Sequence, residues 1–345
     1  LSDNGPGAFY EGEIAKKIVK EMKRNQGLIT AEDLRNYKAI ERLPVEGVYK
    51  NFRIVSMPPA SSGGIHLIQM LNMIEEFPIK DMGFGSADSI HILAEVMKRA
   101  YADRSKHLGD MDFYDVPFSL MSKEYANFLN KSISVNLRTA SKDVFAGDPY
   151  PYESPDTTHF SVMDQYGNVV SNTYTLNFSY GSGIMIPGTG MLMNNEMDDF
   201  SSKPGVPNGY GLLGSEANSI QANKRPLSSM TPTIIFKENE PYLVLGSPGG
   251  SRIITTVLQV ALNVMEHNMN VAQAVNSPRV HHQWLPEVLM IEKGFGPDTE
   301  KILEDKGYRL YPSSTMGSVQ AILKDGDYFY GAADPRRPSS GAVAP

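Results

Sequence analysis

The chain of 345 residues is 41% hydrophobic and 21% charged, the balance of a soluble globular protein long enough for one large domain or two ordinary ones. A formal net charge of -7 with no offsetting basic stripe argues against a nucleic-acid partner. The absence of cysteine excludes disulfides, thiolate metal sites and cysteine nucleophiles, and no apolar run approaches the ~20 residues of a membrane-spanning helix.

The opening residues "LSDNGPGAFYEGEIAKK" hold neither an initiator Met nor a charged segment followed by an apolar one, so the sequence reads as a piece of something longer. A helix is predicted over residues 11–26, where Ile14, Ala15, Ile18, Val19 and Met22 share a face and Gly27 stops the run. Thr30 and Asp33 have the spacing of a capping box for a second, shorter helix. "VEGVYKNFRIVSM" reads as two strands about a Lys50–Asn51 turn. A longer helix is predicted from Ser86 to about His107, striped by Ile90, Leu93, Val96, Met97, Ala100 and Tyr101, with Gly109 beyond its end. Residues 110–156, rich in Pro, Asp and Tyr, read as an extended surface segment.

Then the period changes to two. Residues 157–163 and 168–177 alternate as strands around "DQYGN", "PTIIFKENEPYLVLGS" gives a second hairpin, and "VQAILKDGDYFYGAAD" a third turning at Asp325–Gly326. Helices are expected over 251–267 and 298–306. Hairpins with helices grouped between them predict an α+β protein, a mainly antiparallel sheet system covered by helices.

Several chemistries find no support. None of the seven histidines makes a metal-binding spacing, and the adjacent His281 and His282 would face opposite ways on a strand, which favours a structural role. There is no phosphate loop, no dinucleotide fingerprint and no Gly-x-Ser-x-Gly elbow. What remains is threonine, in "SPDTTHFSVMD". Thr157 and Thr158 are either β-branched residues opening a strand, or one of them is a nucleophile at the strand's first position. A threonine hydroxyl needs a base to take its proton. If the bond before Thr157 were cleaved, its own α-amine, with a pKa of about 7.7–8.0, would supply that base.

Four further stretches suit such a reading, each with an ordinary structural alternative. "NVVSNTYTLN" puts Thr173, Thr175 and Asn177 on one face of the partner strand, which could equally be a half-exposed strand. "GSPGGSRIITTVLQ" places two glycines before a helix, where backbone amides favour an oxyanion or a tight turn needs positive φ. The acids of "NNEMDDF" could hold an ammonium and the hydroxyls of "KRPLSSM" a carboxylate; alone, each is a loop or cap.

Taken in order, "PDTTHFSVMD", "NTYTLN", "MLMNNEMDDFSSKPGVPN", "NKRPLSSMTPTI", "GSPGGSRIITTVLQ", "HHQWLP" and "DPR", preceded by "DNGPGAFYEGEIA", "QGLITAEDLRNY" and "MPPASSGGIH", resemble the γ-glutamyltransferases, or glutathione hydrolases, over nearly the whole chain. That family belongs to the N-terminal-nucleophile hydrolases. The resemblance implies a four-layer αββα sandwich and an inactive precursor that cuts itself between Asp156 and Thr157. Residues 1–156 would then be the C-terminal part of a large subunit and 157–345 the small, catalytic one, forming a heterodimer. It implies Thr157 as the nucleophile, Thr175 as its hydrogen-bonding partner, and the amides of Gly249 and Gly250 as the oxyanion hole. Asn177, Glu196 and Asp199 match residues that hold the donor's α-amine, Ser228 and Ser229 those that hold its α-carboxylate, and Tyr210 an aromatic on a lid loop.

By the same resemblance the donors are glutathione and other γ-glutamyl compounds, the acceptors water or the amine of an amino acid or peptide, and the location periplasmic or extracellular. No cofactor, metal, nucleic acid or membrane span is implied. The family's large subunit has a long preceding part, including an arginine that pairs with the donor carboxylate, and the resemblance implies that this sequence lacks it. Alternative readings are a related acylase for β-lactam side chains, a poly-γ-glutamate depolymerase of the same fold, or an inactive truncated form that only binds γ-glutamyl compounds.

Overall fold

The computed structural model describes residues 2–144 and 157–344. Its first long helix, α1 (Glu13–Arg24), buries Ala15, Ile18 and Met22, and the amide of Gly27 closes on the Met22 carbonyl at 2.8 Å. The next, α2 (Ala31–Asn36), opens on the expected capping box: Thr30 Oγ1 accepts from the Asp33 amide, and the Asp33 carboxylate from the Thr30 amide at 2.7 Å.

Eight strands build the part of the fold that carries the site. They are β1 (Val45–Tyr49), β2 (Phe52–Ser56), β3 (Thr157–Met163), β4 (Val169–Thr175), β5 (Thr233–Lys237), β6 (Glu240–Gly246), β7 (Gln320–Asp325) and β8 (Tyr328–Ala333). Six of them form one antiparallel sheet in the order β1-β2-β5-β6-β7-β8. Three of the four expected hairpins close neighbouring pairs in this sheet, with turn residues at positive φ that include Lys50 at 52° and Gly326 at 57°. β3 and β4 pair only with each other, and the ribbon lies across β6 and β7 as a second β layer.

Helices cover the opposite face of the six-stranded sheet. Two of them, α3 (Gly63–Ile74) and α6 (Ile253–Met265), are buried almost all round, and α4 (Ala87–His107) packs outside α3. Ser86 caps α4 by accepting from the Ser89 amide at 3.1 Å. A helix apolar on every side has no amphipathic stripe to read, so nothing in the local pattern of "GGIHLIQMLNMI" announces α3. No Cβ fits at Gly64, against the Met57 carbonyl and the Val45 side chain, which lets the start of α3 seat directly on the β1–β2 hairpin.

The expectation of an extended surface segment over 110–156 needs correction for its described part. Residues Lys123–Asn130 form α5, capped by Ser122, and Val116, Leu120 and Ala126 are buried. Tertiary contact holds this short helix. Asn72 donates to the Met121 carbonyl at 2.6 Å and Asn130 to the Met73 carbonyl at 3.0 Å, tying it to α3. The remainder, 145–156, lies outside the described residues and includes Asp156.

Candidate active site

The site begins where β3 and β4 end side by side. In their register Thr157 stands directly opposite Thr175, His159 opposite Thr173 and Ser161 opposite Ser171. Thr158 is exposed on one face, while His159 and Ser161 turn to the six-stranded sheet on the other. Hydroxyls seat this face on the sheet: Ser161 donates to the Gln320 carbonyl and Ser171 to the Leu245 carbonyl, each at 3.1 Å. Between them lies His159, bonded through Nδ1 to Thr173 Oγ1 at 2.8 Å and through Nε2 to Ser161 Oγ at 3.0 Å. Its ring occupies the space that a Cβ would need at Gly246, and burial pulls its pKa down to about 4.

Beyond β4 the chain turns through Asn177, whose φ of 72° and buried side chain hold it under the next loop. Thr175 Oγ1 accepts from the Asn177 amide at 2.8 Å, and Asn177 Nδ2 donates to the Asn195 carbonyl at 3.2 Å. These bonds bring the 3₁₀ turn Glu196–Asp199 to the end of β4. Asp199 is half-buried there, hydrogen-bonded to Glu196. Burial and the Glu196 charge push its carboxyl well above the ordinary range, and the Arg104 guanidinium draws it part of the way back. Burial raises Glu196 as well, and its Oε1 is enclosed with no hydrogen-bond partner among the described residues. Two carboxyls this close cannot both ionise cheaply.

Ser228 and Ser229 sit across the cavity. Ser229 is buried and its Oγ accepts from Arg104 Nη2 at 3.2 Å, while the backbone of Ser228 is bonded on both sides to residues 60–62. Gly249 and Gly250 have φ of 141° and 54°, and neither amide has an acceptor among the described residues. They differ from expectation in one respect. A 3₁₀ turn, Gly250–Arg252, comes between the glycines and the first residue of α6, so the amides belong to a turn rather than to the helix. Tyr210 lies over them, its ring against Gly250, edge-on to Phe178, with its hydroxyl donating to the Asn177 carbonyl at 2.6 Å. Asp198, given no role of its own by the sequence, holds this loop by accepting from the Gly209 amide at 3.0 Å.

Thr175, Asn177, Asp199, Tyr210, Ser228, Ser229 and Gly250 thus line one cavity, with Met230 and Ile253 as its apolar wall. With Tyr210 in this seat it holds about 20 Å³, enough for a water. Residues from Thr175 to Ile253 meet there.

The gamma-glutamyltranspeptidase family model matches residues 1–344. The chain belongs to this family. It is 54% identical to the glutathione hydrolase proenzyme of Escherichia coli (strain K12), over 97% of this chain and 58% of that protein. The chain spans less than two thirds the length of that relative. Among solved structures, a Helicobacter pylori gamma-glutamyltranspeptidase mutant matches at 58% identity and a TM-score of 0.51, covering 52% of this chain and all of that one. A cephalosporin acylase from Bacillus halodurans matches 98% of this chain, and 60% of its own, at 25% identity and a TM-score of 0.81. The fold is accordingly that of the N-terminal-nucleophile hydrolases, as the sequence motifs implied.

Two groups at the site escaped the sequence reading. Arg104 lies in the last turn of α4, where "DRSKH" looks like an exposed cationic helix end, and Ser62 lies in "PASSGG", which looks like a loop. Tertiary contacts distinguish them from solvated residues: Arg104 with Ser229, and Ser62 with Ser228.

Proposed function

We propose that the chain carries the catalytic centre of a self-cleaving γ-glutamyltransferase and glutathione hydrolase, with Thr157 as the nucleophile. One observation carries the reading: Asp199, the Ser228–Ser229 pair and Gly250 line one cavity with Thr175, whose register partner is Thr157. A γ-glutamyl donor has an ammonium and a carboxylate on one carbon and its scissile amide a few bonds away. Asn177, Glu196 and Asp199 answer the ammonium, and Ser228 and Ser229 the carboxylate. Clamping that head group brings the γ-carbonyl to the nucleophile.

In the reaction the precursor first cuts between Asp156 and Thr157, leaving 1–156 and 157–345 as a heterodimer. The freed α-amine of Thr157 takes the hydroxyl proton as the oxygen attacks the γ-carbonyl, and the amides of Gly249 and Gly250 stabilise the oxyanion. The amine then returns the proton to the leaving nitrogen, and a γ-glutamyl ester remains on Thr157. Water or an amino-acid or peptide amine attacks that ester next, giving hydrolysis or transfer. A periplasmic or extracellular setting follows from the same family reading.

The test is direct. The wild-type precursor should run as two fragments on a denaturing gel and release the amine from a γ-glutamyl anilide, whereas Thr157→Ala should remain one chain. Cleavage at the same bond in the alanine variant would refute the assignment of the nucleophile. The structural match to a cephalosporin acylase favours a second reading, an acylase on the same scaffold. A preference for a glutaryl amide over the γ-glutamyl anilide would select it, because a glutaryl group has no ammonium for Asp199.

A further inference from the structure

We propose that Arg104 is a positioning residue for donor binding: it fixes the Ser228–Ser229 loop and orients the Ser229 hydroxyl to donate to the donor's α-carboxylate. The inference rests on the reading of Ser228 and Ser229 as the carboxylate subsite, and it assigns the residue that makes them one.

Arg104 is only 5% exposed, and no carboxylate lies within ion-pair distance of it among the described residues. Burying a guanidinium without a counter-ion is costly, and burial lowers its proton affinity here too. Such a group calls for an explanation. Its donors go to neutral acceptors: Nε to Ser62 Oγ at 3.0 Å, and Nη2 to Ser229 Oγ at 3.2 Å and, more weakly, to the Leu227 carbonyl at 3.4 Å. Nη1 donates to none of the described residues.

The two serines that it reaches belong to loops zipped together. Ser62 donates through its amide and its hydroxyl to the Ser228 carbonyl, at 2.9 and 2.8 Å. The Ser228 amide donates to the Ala60 carbonyl at 2.9 Å, and Ser61 Oγ to the Met230 carbonyl at 2.8 Å. Gly63 lies so close to the Met230 carbonyl that a Cβ would collide with it. Arg104 is the side chain that grips both loops.

This geometry favours Ser229 as a donor. Its oxygen already accepts a charge-assisted hydrogen bond, so its hydrogen is left to donate, and the cavity lies on its other side. The acid acting on Arg104 at longer range is Asp199, on the opposite wall, where the donor's ammonium is to bind. When that ammonium takes up the charge of the acid pair, the guanidinium field is left for the carboxylate. A residue holding the loops together for stability alone would show no such selectivity.

The experiment compares two donors in the intact protein, a γ-glutamyl anilide and a 4-aminobutyryl anilide, which differ only by the α-carboxylate. Arg104→Gln should raise KM for the γ-glutamyl anilide about tenfold or more, with kcat within about threefold, the loss expected for one charge-assisted contact. Activity on the 4-aminobutyryl anilide should not change, Arg104→Lys should recover part of the loss, and in a Ser229→Ala background Arg104→Gln should cost little more. Equal loss on both donors, or full additivity with Ser229→Ala, would overturn the proposal. If the glutamine variant does not fold, Ser62→Ala removes one anchor of the guanidinium and should give the same selective rise, about threefold; an unchanged KM there would overturn it as well. Wild-type protein that makes no distinction between the donors would remove the carboxylate reading of Ser228 and Ser229, and the proposal with it. Wild-type discrimination that survives Arg104→Gln removes the proposal alone.

Discussion

Asp199→Asn should move stability and donor binding in opposite directions. In the empty site burial and the Glu196 charge raise the Asp199 carboxyl well above its ordinary value of 3.8, so the folded protein keeps a proton that the unfolded chain has released. The sign follows from linkage. A group raised in the folded state contributes stability that is present below its unfolded pKa and is lost as pH rises through the folded one. One such proton costs about 1.4 kcal/mol for each pH unit in that window, and Glu196, raised by burial, acts with the same sign. The amide keeps the shape, cannot ionise and relieves Glu196. Thermal unfolding of the variant should therefore be flatter as pH rises above about 4 than that of the wild type, with a higher Tm at the alkaline end. Donor binding should suffer, because the ammonium loses a charge-assisted partner worth about 1.5–3 kcal/mol, a KM increase of roughly 10- to 150-fold. Calorimetry adds a third readout. Wild-type binding of a γ-glutamyl compound should release a proton, seen as an enthalpy that varies with the buffer, and the variant should release less. A variant with the wild-type pH slope and an unchanged KM would mean that Asp199 is ionised in the empty site and faces no ammonium.

Two further predictions test the frame around the cavity. His159 stays neutral when buried, with its pKa pulled to about 4, so its contribution is present above about 6.5 and lost as pH falls from there through 4. His159→Gln should lose less Tm between pH 7 and 5 than the wild type, with a lower Tm at pH 7, and parallel pH curves would count against the buried neutral ring. Gly250→Ala would put a methyl group at a φ of 54° and into the Tyr210 ring. The conformational cost is about 1–2 kcal/mol, and displacement of the lid should lower kcat by at least about tenfold while far-ultraviolet circular dichroism stays unchanged; full activity would show that Tyr210 need not rest on this glycine.

Local signals explain what could be read in advance. The capping box at Thr30, the stripe of α1, the cap of α4 at Ser86 and the four hairpins each depend on residues a few positions apart, and all form as expected. The helices α3 and α5 were missed for opposite reasons. α3 is apolar all round and so lacks a period, and α5 is a short helix held by Asn72 and Asn130 rather than by its own pattern.

The sequence alone determined which chemical groups exist and which motifs carry them: a threonine pair at a strand start, two acids in one turn, paired serines, two glycines. Spacing treats Thr157 and Thr158 alike, whereas the β3–β4 register pairs Thr157 with Thr175 and Thr158 with Tyr174. Only folding could bring Asp199, Ser229 and Gly250 onto one cavity, since each comes from a different loop and nothing within a few residues of any of them encodes the others. Arg104 is the extreme case. Its sequence context is that of a solvated helix end, and its role exists only because α4 packs that end beneath the Ser228–Ser229 loop, where a charge without a counter-ion must find neutral acceptors.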